Sequence, residues 1–260
     1  MELIIGFVYI AIALTLLSTS NAAEPAQIRL LRPRFGSGGR RVEGLDCLSW
    51  RLAVETNNLR SWKVVPQSCE DYVGNYMLGR QYRRDIEVVA EAAVEYAKSI
   101  QVAGDGKDLW VFDIDETSLS NLPYYARSDV QFGAIEYNET GFNQWVAEGT
   151  APAIPAILRL YKTVLSLGFK TAFISGTLDA YTDIKILNLN QAGYYNWEKL
   201  ILKGENDHGS SVDYKSQRRT ELVNEGYRIV GNIGDQWSDL IGTNVGNRTF
   251  KVPDPMYYIG

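Results

Sequence analysis

Residues 109–117 read LWVFDIDET, an apolar run followed at once by two aspartates, Asp113 and Asp115. The run predicts a short buried strand, because it is continuously apolar and follows the polar segment 104–108. Carboxylates at the end of such a strand would lie at the edge of an open α/β sheet, where ligands bind. They would repel each other unless a cation lay nearby, so a divalent metal and a nucleophilic aspartate are indicated. Taken alone, the pair is weak evidence, because solvated pairs of this kind are common at strand ends.

A second predicted strand also ends in polar groups. Residues 170–177 read KTAFISGT, so that the strand delivers the hydroxyl of Ser175 and the backbone of Gly176. A hydroxyl followed by backbone N–H groups is suited to holding phosphate oxygens. The alternative for this segment is a strand-to-helix turn in which the serine caps the helix.

Two further segments add a cation and more carboxylates. Lys215 is predicted near the start of a helix, where it could neutralise phosphate and carboxylate charge, although a solvated lysine is the common case. Residues 229–239 read IVGNIGDQWSD, a third predicted strand followed by Asp235 and Asp239. If the chain is helical from residue 237 onward, these two carboxylates converge on one side of the turn.

The order of these four motifs resembles that of the haloacid-dehalogenase-like (HAD) phosphohydrolases. A closer resemblance is to the plant acid phosphatases of the vegetative-storage-protein group, and five segments carry it: 47–51, 65–69, 72–77, 227–232 and 234–240. The likeness covers roughly residues 45–255. It implies an α/β fold with a Rossmann-like parallel sheet, helices on both faces, a small cap and an N-terminal extension. Some storage members of the group lack the nucleophilic aspartate, which this chain keeps.

The resemblance implies a Mg²⁺-dependent phosphomonoesterase that works through an aspartyl-phosphate. Asp113 would attack phosphorus, and Asp115 would protonate the leaving oxygen and later deprotonate water. Ser175, Gly176 and Lys215 would bind the phosphoryl group.

The same resemblance assigns a set of metal ligands: Asp113, Asp235 and the backbone carbonyl of Asp115, with Asp239 acting through water or by orienting Lys215. In one respect the chain departs from the pattern. Many relatives carry arginine after the Ser/Thr-Gly of the second motif, whereas this chain has Thr177.

Composition excludes several other classes of protein. The net charge of −5 gives no electrostatic reason for nucleic-acid binding. His208 is the single histidine, so phosphatases that use a histidine nucleophile or a dinuclear metal site are excluded, and a structural zinc site is not expected. No Gly-x-Ser-x-Gly elbow is present. The resemblance thus leaves a small phosphomonoester as the expected substrate. Assembly into a homodimer is neither predicted nor excluded.

The amino-terminal residues favour entry into the secretory pathway. Residues 3–17 are apolar and are followed by small residues, which predicts a signal peptide over 1–22 and a flexible leader over 23–44. An uncleaved anchor is the alternative, although the run is short for a membrane span. An extracellular or vacuolar location is expected. In that oxidising setting Cys47 and Cys69 would pair, and the sequons at Asn138 and Asn247 would be glycosylated.

The remaining pattern predicts alternating helices and strands. Residues 84–100 carry the clearest amphipathic helix, and residues 121–150 are an aromatic-rich insertion predicted to form the cap. Residues 47–82 are expected to be an irregular extension. Further elements are predicted at 154–167, 170–174, 181–191, 199–202, 216–224 and 227–232. Two other functions stay open: a storage or defence protein with incidental catalysis, and phosphoryl transfer to an alcohol acceptor.

Overall fold

Five parallel strands form the central sheet of the protein, seen in a computed structural model that describes residues 46–260. They are β1 (Asp108–Phe112), β2 (Lys170–Leu178), β3 (Lys199–Lys203), β4 (Arg228–Gly234) and β5 (Arg248–Lys251). Their order across the sheet is β3-β2-β1-β4-β5, which places β1 at the centre. The predicted α/β parallel sheet is confirmed. The predicted signal peptide and leader lie outside the described residues.

Nine α-helices accompany the sheet within residues 46–260. They are α1 (Cys47–Glu55), α2 (Glu70–Leu78), α3 (Arg80–Ser99), α4 (Leu122–Tyr125), α5 (Glu139–Glu148), α6 (Pro155–Ser166), α7 (Thr182–Gln191), α8 (Ser211–Asn224) and α9 (Trp237–Leu240). In this part of the chain, no helix is both long and apolar enough to cross a bilayer. The expectation that residues 47–82 are irregular is wrong for most of this segment, which forms α1, α2 and the first residues of α3. Residues 56–66 are turns and coil, as expected. Both early helices are nine residues long, and helices that short depend on tertiary packing more than on their own pattern.

The two faces of the sheet bury different layers. Alternate side chains of β1 point in opposite directions, so that Trp110 and Phe112 join one core while Leu109 and Val111 join the other. The larger core also contains buried residues of α3 and α6, and the smaller one contains buried residues of α8. Helices therefore cover both faces, which explains why residues 109–112 of β1, at the centre of the sheet, are all apolar.

A close contact between β1 and β4 explains why Gly231 has no side chain. Trp110 is fully buried and stacks on Phe250 with ring centroids 5.7 Å apart. A Cβ atom at Gly231, on the neighbouring strand, would lie 2.6 Å from three atoms of the Trp110 indole. Only glycine leaves room for this ring, because tightly packed cores do not absorb such an overlap.

The predicted cysteine pair is joined in the structure. A disulfide links Cys47 at the start of α1 to Cys69, just before α2, with Cα atoms 5.4 Å apart. Cys69 is completely buried in the larger core. The bond therefore anchors α1, the first described helix, to the body of the protein.

We expect the double substitution Cys47→Ala, Cys69→Ala to lower the free energy of unfolding by about 3 kcal/mol, because the bond closes a loop between residues 22 positions apart. Urea unfolding monitored by circular dichroism measures the loss. Reducing agent should lower the midpoint of the wild-type protein and leave that of the double variant unchanged. An equal midpoint for oxidised wild type and double variant would contradict a stabilising role.

Candidate active site

Three neighbouring strands deliver polar side chains to one edge of the sheet. Asp113 directly follows β1, Ser175 lies in the last part of β2, and Asp235 directly follows β4. Since β1 lies between β2 and β4 and all three run parallel, their carboxyl ends meet. All three side chains are buried. The polar groups that end these strands therefore lie together at one edge of the sheet, as the sequence predicted.

A cluster of buried carboxylates surrounds one lysine at this edge. One carboxylate oxygen from each of Asp113, Asp235 and Asp239 lies within 4.8 Å of the others. Lys215, from the second turn of α8, reaches into the cluster: its Nζ is 2.8 Å from Oδ1 of Asp113 and also contacts Oδ1 of Asp239. Three formal negative charges thus face one positive charge in a buried place.

The electrostatics of the cluster follow from that excess of negative charge. Burial and the charge of Asp239 raise the pKa of Asp113 well above its ordinary value, against the opposing pull of Lys215. Burial and Asp239 likewise raise the pKa of Asp235. Burial works to lower the pKa of Lys215, but the charges of Asp113 and Asp239 outweigh it, so this amine stays protonated. The buried oxygen-rich set fits a hard divalent cation, which would relieve the remaining repulsion.

Neighbouring side chains hold Asp235 in place. Its Oδ1 accepts a hydrogen bond from the Thr117 hydroxyl (3.0 Å), and its Oδ2 accepts one from Nε2 of Gln236 (2.7 Å). The Asp235 amide in turn donates to the same threonine oxygen at 2.9 Å. Thr117, the threonine of the Asp-x-Asp-x-Thr motif at residues 113–117, therefore connects the loop after β1 to the end of β4.

Asp239 uses both of its carboxylate oxygens within the protein. Oδ1 contacts Lys215, and Oδ2 accepts the backbone amide of Gln236 at 2.9 Å. Its backbone carbonyl accepts from Arg219 of α8 and from Asn232 of β4, each at 2.8 Å. Of the two roles considered for Asp239, this geometry favours orientation of Lys215.

Four donors converge on the carboxylate of Asp115. Its Oδ1 accepts from Nζ of Lys185 (2.7 Å) and from Nδ2 of Asn121 (3.3 Å). Its Oδ2 accepts from the hydroxyls of Ser175 (3.0 Å) and Thr177 (2.8 Å). Burial raises the pKa of Asp115, but the charge and hydrogen bond of Lys185, together with the other donors, bring that pKa below its ordinary value. Asp115 is therefore an ionised, firmly held carboxylate in this state.

The predicted phosphate loop lies beside Asp115. β2 continues beyond the predicted end at residue 174 to Leu178, but its pairing with β3 is interrupted between Ile174 and Leu178. Ser175 donates to Asp115 here, while Gly176 is exposed and has open space where a Cβ atom would be. An anion can therefore approach the backbone at Gly176 without steric hindrance.

The segment predicted as a cap reaches the site through Asn121. This side chain donates to Asp115 and accepts the indole N–H of Trp145, from α5, at 3.0 Å. From the other side, the Tyr257 hydroxyl donates to the backbone carbonyl of Asp115 at 3.4 Å, and its ring stacks on Tyr125. Segment 121–150 and the C-terminal residues thus both contact Asp115, in the loop that follows β1.

Lys185 is the site residue that the sequence interpretation missed. Most lysines in a helix are solvated, yet Lys185 is only 3% exposed. Lys185, Asn188 and Leu189 share one buried face of α7 at i, i+3 and i+4, but two of them are polar, so no apolar stripe in the sequence marks this face. A lysine on a buried helix face requires a nearby carboxylate or another acceptor.

Comparison with known proteins agrees with this geometry. The family model of the HAD superfamily, subfamily IIIB (Acid phosphatase), matches residues 36–260. The chain is 46% identical over 254 residues to Acid phosphatase 1 of Solanum lycopersicum, covering 97% of this chain and 98% of that protein. It is 46% identical over 233 residues to the Stem 28 kDa glycoprotein of Glycine max (88% and 89% covered). It is 36% identical over 261 residues to Vegetative storage protein 2 of Arabidopsis thaliana (96% and 97% covered).

A solved structure shares the fold. The class C acid phosphatase from Bacillus anthracis aligns with a TM-score of 0.61 at 21% identity, covering 73% of this chain and 85% of that chain.

The parallel sheet with its strand-end carboxylates and buried lysine defines an α/β enzyme built to handle an anionic group at the carboxyl edge. The chain belongs to subfamily IIIB of the HAD superfamily, the acid phosphatases. It is accordingly a phosphoric monoester hydrolase, as the resemblance predicted.

The raised pKa of Asp113 leads to a prediction about stability. A carboxyl group whose pKa is higher in the folded state opposes folding once it ionises, so the penalty is absent below about pH 4 and grows as pH rises. In metal-free buffer, Asp113→Asn should therefore be more stable than wild type at pH 7 and equal to it near pH 3.

Thermal unfolding with a chelator over this pH range measures the difference. Asp115→Asn is the matched control of opposite sign, because the pKa of Asp115 is lowered and its ionisation supports the fold above about pH 4. Parallel pH profiles for wild type and Asp113→Asn would contradict the charge argument.

Proposed function

We propose that this acid phosphatase hydrolyses small phosphomonoesters through a phosphorylated Asp113, with Mg²⁺ as its metal. The observation that carries the proposal is the buried cluster of Asp113, Asp235 and Asp239 with Lys215 in contact with two of them. Structural charge clusters are normally neutral or exposed. A buried site with excess negative charge, at the edge of the sheet where ligands bind, is the arrangement expected of a metal-assisted phosphoryl-transfer centre.

In the first step the carboxylate of Asp113 attacks phosphorus, and the bond from phosphorus to the alcohol oxygen breaks. Lys215 holds Asp113 through Oδ1, so the nucleophile has a fixed orientation. The ammonium also offsets negative charge on the transferring group. In the second step water attacks the same phosphorus, inorganic phosphate leaves, and Asp113 is regenerated.

Asp115 moves the protons in both steps. Because Asp115 is ionised in the ligand-free state, the proton that it gives to the leaving alcohol oxygen is first taken from the bound monoanionic ester. The resulting carboxylate then takes a proton from the attacking water. The backbone at Gly176, which is open to solvent, and the hydroxyl of Ser175 would hold phosphoryl oxygens. Because Ser175 donates to Asp115 in the ligand-free state, substrate binding would exchange one acceptor of this hydroxyl for another.

Asp113, Asp235 and the backbone carbonyl of Asp115 would hold the metal. When bound, Mg²⁺ supplies positive charge that stabilises the phosphoryl oxygens and the carboxylates around them. Asp239 would act by orienting Lys215, because its Oδ1 contacts the ammonium directly. Thr117 and Gln236 would keep Asp235 aimed at the metal through the contacts described above.

We also propose that the protein follows the secretory pathway to an extracellular or vacuolar location. Support comes from the apolar segment 3–17, from the disulfide, and from relatives named as stem glycoproteins. Both sequon asparagines, Asn138 and Asn247, are exposed and therefore accessible to glycosylation.

A storage role with incidental catalysis is the second candidate, because relatives with 36–38% identity are named vegetative storage proteins. The nucleophile position is intact here as Asp113, which favours catalysis. High abundance in tissue together with negligible turnover would favour storage.

We expect turnover of a generic phosphomonoester to require Mg²⁺ and to fall at least about 10³-fold in Asp113→Asn, because the amide is not a nucleophile. Release of phosphate, measured with and without a chelator, tests both requirements. The far-ultraviolet circular dichroism of the variant should match that of wild type. Equal activity with and without metal, or a folded Asp113→Asn variant with wild-type turnover, would contradict the proposed mechanism.

Asp235→Asn should chiefly weaken the binding of Mg²⁺, because a charged oxygen ligand is lost. The Mg²⁺ concentration for half-maximal activity should rise at least about tenfold. The measurement is activity titrated with Mg²⁺. Asp105→Asn is the matched control: Asp105 is half exposed, lies before β1 at the opposite edge of the sheet, and pairs with Arg228. An unchanged half-saturation in Asp235→Asn would place the metal elsewhere.

A further inference from the structure

Lys185 is a buried cation for which the mechanism above has no use. It lies on α7, is 3% exposed, and forms an ion pair with Asp115 at 2.7 Å. Within residues 46–260 its ammonium donates one hydrogen bond, and Asp115 accepts it. A buried lysine reduces stability unless its charge is compensated, so a position like this indicates a specific task.

The geometry divides the two oxygens of Asp115 between different kinds of donor. Oδ1 is held by Lys185 and Asn121, which lie outside the phosphate loop. Oδ2 is held by Ser175 and Thr177, which belong to it. When a phosphoryl group draws the hydroxyl of Ser175 toward itself, Oδ2 loses a donor while Oδ1 keeps both of its own.

The cation beside Asp115 comes from a helix outside the phosphate loop. The residue after Ser175-Gly176 is Thr177, which offers Asp115 a neutral hydroxyl. The positive charge comes from Lys185, on the buried face of α7. Among the described residues it is the only cation within ion-pair distance of Asp115.

We propose that Lys185 is a positioning residue that clamps Oδ1 of Asp115, so that Oδ2 faces the leaving oxygen and transfers the proton. The proposal rests on the proposed function, in which Asp115 serves as the acid and the base. Without Lys185, Oδ1 keeps only the longer 3.3 Å hydrogen bond from Asn121, so the carboxyl group is less restrained about its terminal torsion, which has only broad preferences. The fraction of molecules with Oδ2 correctly aimed then falls, and proton transfer slows.

This role predicts an effect that depends on the leaving group. Departure of an alkyl alcohol needs a proton, whereas an aryl alcohol of low pKa leaves without much help. The ratio kcat/KM reports only the steps up to release of the alcohol, so it isolates the step in which Asp115 acts as an acid. Loss of the clamp should therefore lower kcat/KM for alkyl esters and largely spare aryl esters.

The first experiment compares glycerol phosphate and p-nitrophenyl phosphate with the full mature chain in saturating Mg²⁺. Lys185→Met should lower kcat/KM at least about tenfold for the alkyl ester and less than about threefold for the aryl ester. The matched control is Lys170→Met, which removes a lysine paired with Glu198 at the start of β2, and should change neither value. Equal losses for both esters would overturn the proposal.

A double-mutant cycle tests whether Lys185 acts through Asp115. In an Asp115→Asn background, Lys185→Met should change kcat/KM for the alkyl ester less than about twofold, since the group to be positioned is already gone. Full, additive losses would show an independent role, such as direct phosphate binding, and would overturn the proposal. If Lys185→Met does not fold, Lys185→Arg carries the test: it keeps the charge, so the alkyl-to-aryl ratio should stay within about threefold of wild type. A tenfold change in that ratio would overturn the proposal.

Failure of this inference is separable from failure of the proposed function. If wild-type turnover needs neither Mg²⁺ nor Asp113, the mechanism itself is wrong. If wild type and Asp113→Asn behave as expected while Lys185→Met affects both esters equally, only the clamp is wrong.

Discussion

The contact of Lys215 with Asp113 and Asp239 is the interaction on which the site depends. It joins α8 to the end of β1 and to α9, and it brings positive charge into a place where three carboxylates are buried. The same helix secures the arrangement from behind, because Arg219 donates to the carbonyls of Asp239 and Ile241. Removing Lys215 would leave the three buried carboxylates without this compensating charge, so the position of α8 and the chemistry are linked.

The site also contains local strain and repulsion that the rest of the fold must support. Glu116 has a left-handed backbone with a φ of 55°, which is unfavourable for a residue with a side chain. Its buried carboxylate accepts from Tyr82 (2.6 Å) and from the Asn121 amide (2.7 Å), and burial raises its pKa to about 7. These contacts turn the chain sharply after Asp115, which is how Asn121 returns to donate to that aspartate. The large aromatic core around Trp110 and the disulfide provide the stability that such a loop requires.

Much of the fold and of the candidate site could be predicted from the sequence, for physical reasons that can be named. An apolar strand that ends in Asp-x-Asp, followed by two more strands that end in polar groups, is a local pattern, and parallel strands bring such ends together. The short helices α1 and α2 could not be predicted in this way, because their stability comes from packing. The four-residue strand β5 is likewise too short and too polar at its ends to be recognised by periodicity.

The sequence by itself determined the fold class, the family and the residues of the four motifs, because each depends on residue types at short, regular spacing. Only the tertiary structure decided which donor meets which oxygen. It assigned Asp239 to Lys215 and Ser175 to Asp115, and it brought Lys185 to Asp115 across 70 residues of chain. Contacts between residues so far apart in the sequence depend on how α7 and α8 pack against the sheet. Side-chain periodicity carries no information about so distant a partner.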